Sequence, residues 1–249
     1  MKQSRFSLDI SSAGLHILGM VLMFLDHTYA TIAPDWAWLN WAGRLAFPIF
    51  AFLTAQGYFH TKNFKAYLGR MVLFALLAEL PFNLMCSGGE SAFYPQHQNV
   101  LFTLALSLVL MRCADRFRES RHVGLAVFGS GVVVLLGSLL GSALMLDYYG
   151  IGVVTVLVFY FFRERTVWSF LFQAVCLGFL NIYMMETPAL PGLPFALPVQ
   201  ALALLALIPI WLYRGRRGNS SVLFRWFCYF FYPAHILVLV SLALLGLQL

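Results

Sequence analysis

Five ionisable side chains stand inside long apolar runs of this sequence: Asp26, His27, Arg44, Glu79 and His235. Such a group costs about 2.5–3.5 kcal/mol on membrane-insertion scales, so each is a candidate for function. A buried guanidinium needs a carboxylate, which Asp26 or Glu79 can supply to Arg44. His27 as a neutral imidazole can take a proton near neutral pH, a step that both general-base catalysis and proton transport require. His235 follows Phe231-Tyr232-Pro233, where a proline removes a helix donor and can free a carbonyl. Neutral polar groups join them. Asn83 stands one turn after Glu79 with Pro81 between, and Gln98-Asn99, Asp147-Tyr148-Tyr149-Gly150 and Asn181 lie at the ends of apolar runs. Together these predict an outward-facing polar cavity. Each has a plainer reading as well: Asp26–Arg44 as a clamp, and each histidine as a buried ring satisfied by a carbonyl.

The elements that position these groups must sit in lipid. Of 249 residues, 61% are apolar and only 10% charged, with mean hydropathy +0.81. An ordinary soluble domain carries about 25% charge. That excludes a soluble enzyme, a disulfide scaffold and a nucleic-acid domain. Four cysteines at 86, 113, 176 and 228 show no metal or disulfide spacing and read as small buried hydrophobes. No metal is expected.

The apolar runs predict an all-α, polytopic helical bundle of about nine transmembrane helices. They lie near 14–33, 38–59, 69–87, 97–113, 122–142, 148–162, 167–185, 196–213 and 224–247. Short connections and no repeat make residues 1–249 a single membrane domain. Residues 13–33 read as a span and not as a cleaved leader, because Asp26-His27 does not suit a signal core. Fifteen of the sixteen Lys and Arg residues, from Lys2 to Arg225, fall in alternate loops. By the positive-inside rule the N-terminus is cytoplasmic and the C-terminus outside. Trp36, Trp38 and Trp41 mark the outer interface, and Gly137 with Gly141 reads as a close helix crossing. Counted along the helices, Asp26, His27, Arg44, Glu79 and His235 share one depth between the midplane and the outer third. Spans 1 and 2 form a hairpin, so Asp26 facing Arg44 is the economical pairing. His16, Met20, Met23 and His27 follow one helical face, and Asp26 points about 100° away from it. Asp26 and His27 therefore serve different partners.

No HExxH, GxSxG, P-loop or GxGxxG stands in a suitable setting. A longer pattern does. Met23-Phe24-Leu25-Asp26-His27, the block Trp41-Ala42-Gly43-Arg44-Leu45-Ala46-Phe47-Pro48-Ile49-Phe50-Ala51, Asn99-Val100-Leu101-Phe102, Tyr149-Gly150-Ile151 and Phe231-Tyr232-Pro233-Ala234-His235 occur in that order. The sequence resembles the TraX family of bacterial membrane proteins across nearly its whole length. It departs at Gln98, where glycine is common, and in a longer loop near 86–97.

The resemblance implies acetyl transfer in the bacterial cytoplasmic (inner) membrane, and a link to pilin and conjugation. The acyl donor would be cytoplasmic acetyl-CoA, and the acceptor an amine or hydroxyl of a pilin N-terminus, peptide or envelope glycan at the outer side. By position it implies a site of Asp26, His27, Arg44, Asn99, Tyr149 and His235. Acyl transfer needs a base and an oxyanion stabiliser. His27 is the expected base or acyl carrier, Arg44 the stabiliser or the holder of Asp26, and His235 or Tyr149 orients the acceptor, with Glu79, Asn83, Asn99 and Tyr232 lining its site. Lys62, Lys65, Arg70 and Arg112 are available for the donor's phosphates, although topology alone accounts for them. Two other classes stay open: a proton-coupled transporter using Asp26, His27, Arg44 and Glu79, and a non-enzymatic envelope assembly factor.

Overall fold

The computed structural model describes residues 9–219 and 221–249; Lys2 and Arg5 lie outside them. The chain is all-helical, 72% helix, with no strand among the described residues. Its helices are α1 (Ser12–Thr31), α2 (Ala37–Gly43), α3 (Ala46–His60), α4 (Phe64–Cys86), α5 (Val100–Arg118), α6 (Val123–Ala143), α7 (Tyr149–Phe161), α8 (Val167–Phe179), α9 (Leu207–Leu212) and α10 (Val222–Leu244). A π-turn, Leu180–Met184, extends α8, and a 3-10 helix, Val199–Ala206, leads into α9. Four segments are each long and apolar enough to cross a bilayer: Phe64–Cys86, Val123–Ala143, Val167–Met184 and Val222–Leu244. This is a membrane protein, and the apolar side chains that cover its outside need no aqueous explanation.

Local chemistry sets the helix starts. Ser11, Asn63, Asn99, Thr166 and Ser221 each turn a side-chain oxygen onto an N–H of the following first turn, which satisfies a donor the helix itself leaves free. The cap at Asn99 moves the expected boundary at 97 to Val100 and leaves His97 in a loop. The expected second span is one rod in the sequence but two helices in space, with Arg44 and Leu45 between them. Pro48 supplies the reason: it has no N–H for the carbonyl of Arg44, and its ring crowds that carbonyl. Arg44 and Leu45 keep right-handed helical angles, so the effect of Pro48 is to leave the Arg44 carbonyl without its helical donor at the one position of this span that carries a charge. In α10 the helix runs unbroken through Pro233.

Helix α1 packs against α2, α3 and α10, α4 lies between α5 and α10, and α3 rests on α7. At one end, Ser12 and Ala13 donate backbone N–H groups to the carbonyls of Arg216 and Arg217 at 2.8 and 3.0 Å. The Arg163 guanidinium covers the Phe59 ring at 4.1 Å, and Tyr58 and Tyr160 both donate to Asp115. These contacts gather the described basic loops at one end of the bundle, called here the basic end. Helices α6 and α7 cross closely: a Cβ on Gly141 would stand 2.7 Å from the Tyr149 carbonyl, and one on Gly137 would stand 2.9 Å from Val153.

Candidate functional site

Two imidazoles meet where α1 crosses α10. His27 Nδ1 and His235 Nε2 are 2.8 Å apart, and the rings are near-parallel with centroids 4.9 Å apart. His235 Nδ1 also stands 2.6 Å from the carbonyl of Phe231 one turn earlier. A carbonyl only accepts, so His235 Nδ1 carries the proton. A neutral imidazole has one N–H, which leaves His235 Nε2 as a lone pair. That nitrogen then accepts from His27 Nδ1–H, and His27 Nε2 is left with the free lone pair. The order Phe231 carbonyl, His235, His27 orients a base in the way a carboxylate orients the histidine of a triad. The Phe231 ring stacks on His235 at 4.6 Å, and Tyr232 lies 6.2 Å from the His27 ring and 6.0 Å from that of His235.

On the next face of α1, Asp26 Oδ1 accepts from Arg44 Nη2 at 2.5 Å and from Asn40 Nδ2 at 3.0 Å. Gly43 makes this approach possible, because any Cβ there would stand 2.5 Å from the same oxygen. Arg44 also donates from Nε to the Asn40 carbonyl at 3.4 Å and from Nη1 to Gln200 Oε1 at 3.3 Å. Gln200 donates in turn to Asn181 Oδ1 at 3.0 Å. The 3-10 helix and the π-turn carry these two amides, both buried. The ion pair therefore has partners on three further sides, as a buried charge requires.

A third group lies nearer the end opposite the basic loops. Asn99 Nδ2 donates to Glu79 Oε2 at 2.6 Å and to the Ala75 carbonyl at 2.9 Å. Asn83 donates to the Ala92 carbonyl at 3.1 Å, while its Oδ1 is buried and has no partner. His97 Nε2 donates to Asp147 Oδ1 at 3.0 Å. That contact raises the His97 pKa above its ordinary 6.5 against the opposing effect of burial. Tyr148 and Tyr149 both have positive φ, 58° and 49°, a strained choice for bulky residues. The strain turns them apart. Tyr148 stacks on Phe47 at 4.1 Å, whereas Tyr149 is half exposed and faces His97 at 6.2 Å.

A cavity of about 470 Å³ opens among α1, α3, α4 and α10. Arg70, Arg217 and Arg225 line it at the basic end, and Met23, Leu101 and Tyr232 line its far reach. From Ser12 to Met23 along α1, and from Ser221 to Tyr232 along α10, the rise is about 16 Å in each case. His27 stands one turn beyond Met23.

Of the residues singled out by sequence, His27 with His235, Asp26 with Arg44 and Glu79 with Asn99 are brought into contact. Tyr232 sits beside the imidazole pair and Arg70 lines the cavity. Asn83 lies beside Glu79 on α4, bonded to the 87–99 loop. Tyr149 joins the His97–Asp147 contact and makes no contact with either imidazole. Lys62, Lys65 and Arg112 are exposed and do not line the cavity. Sequence reasoning missed Asn40, Gln200, Arg217 and Arg225 as site residues. Asn40 had a signal, being one turn before Arg44 on the same face. Gln200, a lone amide in an apolar run, was a weaker one.

The family model described as TraX protein matches residues 11–243. A curated relative, the probable fimbrial assembly protein FimC, serogroup H1, of Dichelobacter nodosus, is 29% identical over 248 residues. That match covers 94% of this chain and 96% of the relative. No solved structure matches.

Proposed function

The chain belongs to the TraX family, and from that premise we propose that it is a membrane-embedded acetyltransferase acting on an acceptor of pilus or fimbrial assembly. The observation that carries this reading is the oriented imidazole pair, which leaves His27 Nε2 as a free base one turn beyond a cavity with a basic mouth. In the proposed reaction an acceptor amine or hydroxyl attacks the thioester carbonyl of acetyl-CoA. His27 Nε2 takes the acceptor's proton as the new bond forms, and the tetrahedral intermediate expels the CoA thiolate. That thiolate takes up the proton from His27, so acetyl-CoA and acceptor become acetylated acceptor and CoA. The guanidinium of Arg44, fixed by Asp26, Asn40 and Gln200, is preorganised to stabilise the oxyanion.

The same reading gives the chain nine crossings of the bacterial inner membrane, with the basic end and N-terminus in the cytoplasm and the C-terminus outside. The clustering of the described basic loops supports it, and so do the nine apolar stretches, each of which contains helical structure. Donor then enters from the cytoplasm and acceptor from beyond the membrane. The relative's printed name, fimbrial assembly, directs the choice of acceptor.

The test is detergent-purified protein given acetyl-CoA and assayed for freed thiol, beside His27→Ala. Saturable donor binding with thiol release lost in the variant is expected. No binding to a folded, monodisperse sample would sink the reading. A second reading, an assembly factor without chemistry, is favoured by the relative's name; under it, His27→Gln would leave fimbriation of cells intact.

A further inference from the structure

The basic mouth of the cavity has a property that topology does not require. Arg70, Arg217 and Arg225 line it, and none is in an ion pair with a described carboxylate. The Arg70 guanidinium lies 5.9 Å above the Tyr229 ring, and its Nε is buried without a hydrogen-bond partner. A buried charged donor is costly to leave unmade, and guanidinium geometry matches phosphate in paired contacts. The cavity wall is not a lipid slot either. His16, Thr54 and Tyr67 interrupt it between Met20, Met71 and Leu101. His16 donates through Nδ1 to the Ser12 carbonyl at 2.8 Å, which leaves its Nε2 as an acceptor. An acyl tail would strand these polar groups, whereas a narrow chain of amides would pair with them.

We infer that this cavity is the binding site for the phosphorylated end and arm of a CoA thioester. The guanidiniums of Arg70, Arg217 and Arg225 hold the phosphates. The amide-bearing arm lies along His16, Thr54 and Tyr67, and the thioester reaches the gap between Met23 and Tyr232 below His27 Nε2. The identity of the thioester rests on the acetyltransferase reading; the phosphate-on-a-narrow-arm chemistry does not. The cations that matter are then Arg70, Arg217 and Arg225, which line the cavity, and not Lys62, Lys65 and Arg112, which do not. An anionic lipid headgroup presents the same phosphate chemistry, so the experiment includes it as a separate arm.

The full chain in neutral-lipid nanodiscs is titrated with CoA, dephospho-CoA and pantetheine by calorimetry. Arg217→Gln, Arg225→Gln, their double variant, Arg70→Gln and Arg70→Lys are run beside Arg116→Gln, the control at an arginine that does not line the cavity. Saturable CoA binding is expected, weakened about tenfold by each single change at Arg217 or Arg225. Pantetheine should bind far more weakly than CoA, and Arg70→Lys should recover part of what Arg70→Gln loses. If Arg70→Gln fails to fold, the other two arginines decide the matter. CoA affinity unchanged in the double variant, or lost instead in Lys65→Gln, would overturn the site. So would displacement of CoA by phosphatidylglycerol together with equal binding of CoA and pantetheine, which would mark a lipid headgroup site. Thiol release undiminished in the double variant would overturn the site and spare the transferase reading. Arginine-dependent CoA binding with no thiol release would keep the site and remove the transferase reading.

Discussion

The order of the two imidazoles makes the sharpest prediction. His27 Nδ1–H donates to His235 Nε2 across 2.8 Å, and His235 is itself held by the Phe231 carbonyl at 2.6 Å. Replacing His235 by leucine leaves the His27 Nδ1–H without its acceptor in a half-buried, apolar setting. An unmade buried donor costs about 1–3 kcal/mol, roughly five- to 150-fold in rate if the tautomer is what suffers. Glutamine at 235 places an amide oxygen near the position of the imidazole Nε2, so His235→Gln should retain most of that stabilisation. At position 27 itself the base is lost, and the expected fall is on the order of 10²–10⁴ for any substitution, glutamine included. The assay is thiol release from acetyl-CoA, with donor affinity measured in parallel to separate binding from turnover. The expected ranking is wild type, His235→Gln, His235→Leu, then His27→Gln, at similar donor affinity. An active His27→Gln beside an inactive His235→Gln would reverse the assignment and refute the tautomer argument.

Three further outcomes follow from the packing around the site. Gly43→Ala places a methyl against Asp26, 2.5 Å from Oδ1. Overpacking of that kind costs about 1–3 kcal/mol, and the variant should show a lower thermal midpoint and reduced turnover; a wild-type midpoint would refute the close approach. Gln200→Leu strands Arg44 Nη1 and Asn181 Oδ1, both of which Gln200 satisfies in the structure. Each stranded group costs about 1–3 kcal/mol, so detergent thermal unfolding should fall further than for substitution of the exposed Tyr183. Finally, the His97–Asp147 contact raises the folded pKa of His97 above 6.5. Its stabilisation is complete below about 6.5 and is lost as pH rises through the raised value. The stability difference between wild type and Asp147→Asn should therefore be largest in acid and shrink with rising pH, small throughout because His97 is partly exposed; a gap that widens with pH would contradict it.

Sequence alone was sufficient wherever one residue type in one solvent leaves a single solution. A chain built of continuous apolar runs, most of them near the length of a membrane-spanning helix, has to be helical in lipid, because a helix pairs each backbone group within its own segment. Asp26 facing Arg44 followed from the short hairpin between them, and the different partners of Asp26 and His27 followed from the 100° step between neighbours on a helix. The ends of helices were legible only to a few residues, since Asn99 and Asn63 act as caps through bonds that hydropathy does not register. Tertiary structure decided the rest. Which tyrosine turns inward depends on two consecutive positive φ angles, and nothing in Tyr148-Tyr149 distinguishes them beforehand. Gln200 reaches Arg44 across 156 residues of chain, a distance over which local pattern carries no information. Arg70, Arg217 and Arg225 differ from Lys62 and Lys65 in lining the cavity, which depends on which elements meet at its mouth. The pairing of His27 with His235 needed α10 laid against α1, and the protonation order needed the Phe231 carbonyl as well. Types and spacings set what each helix must bury; only the assembled bundle sets which buried group meets which.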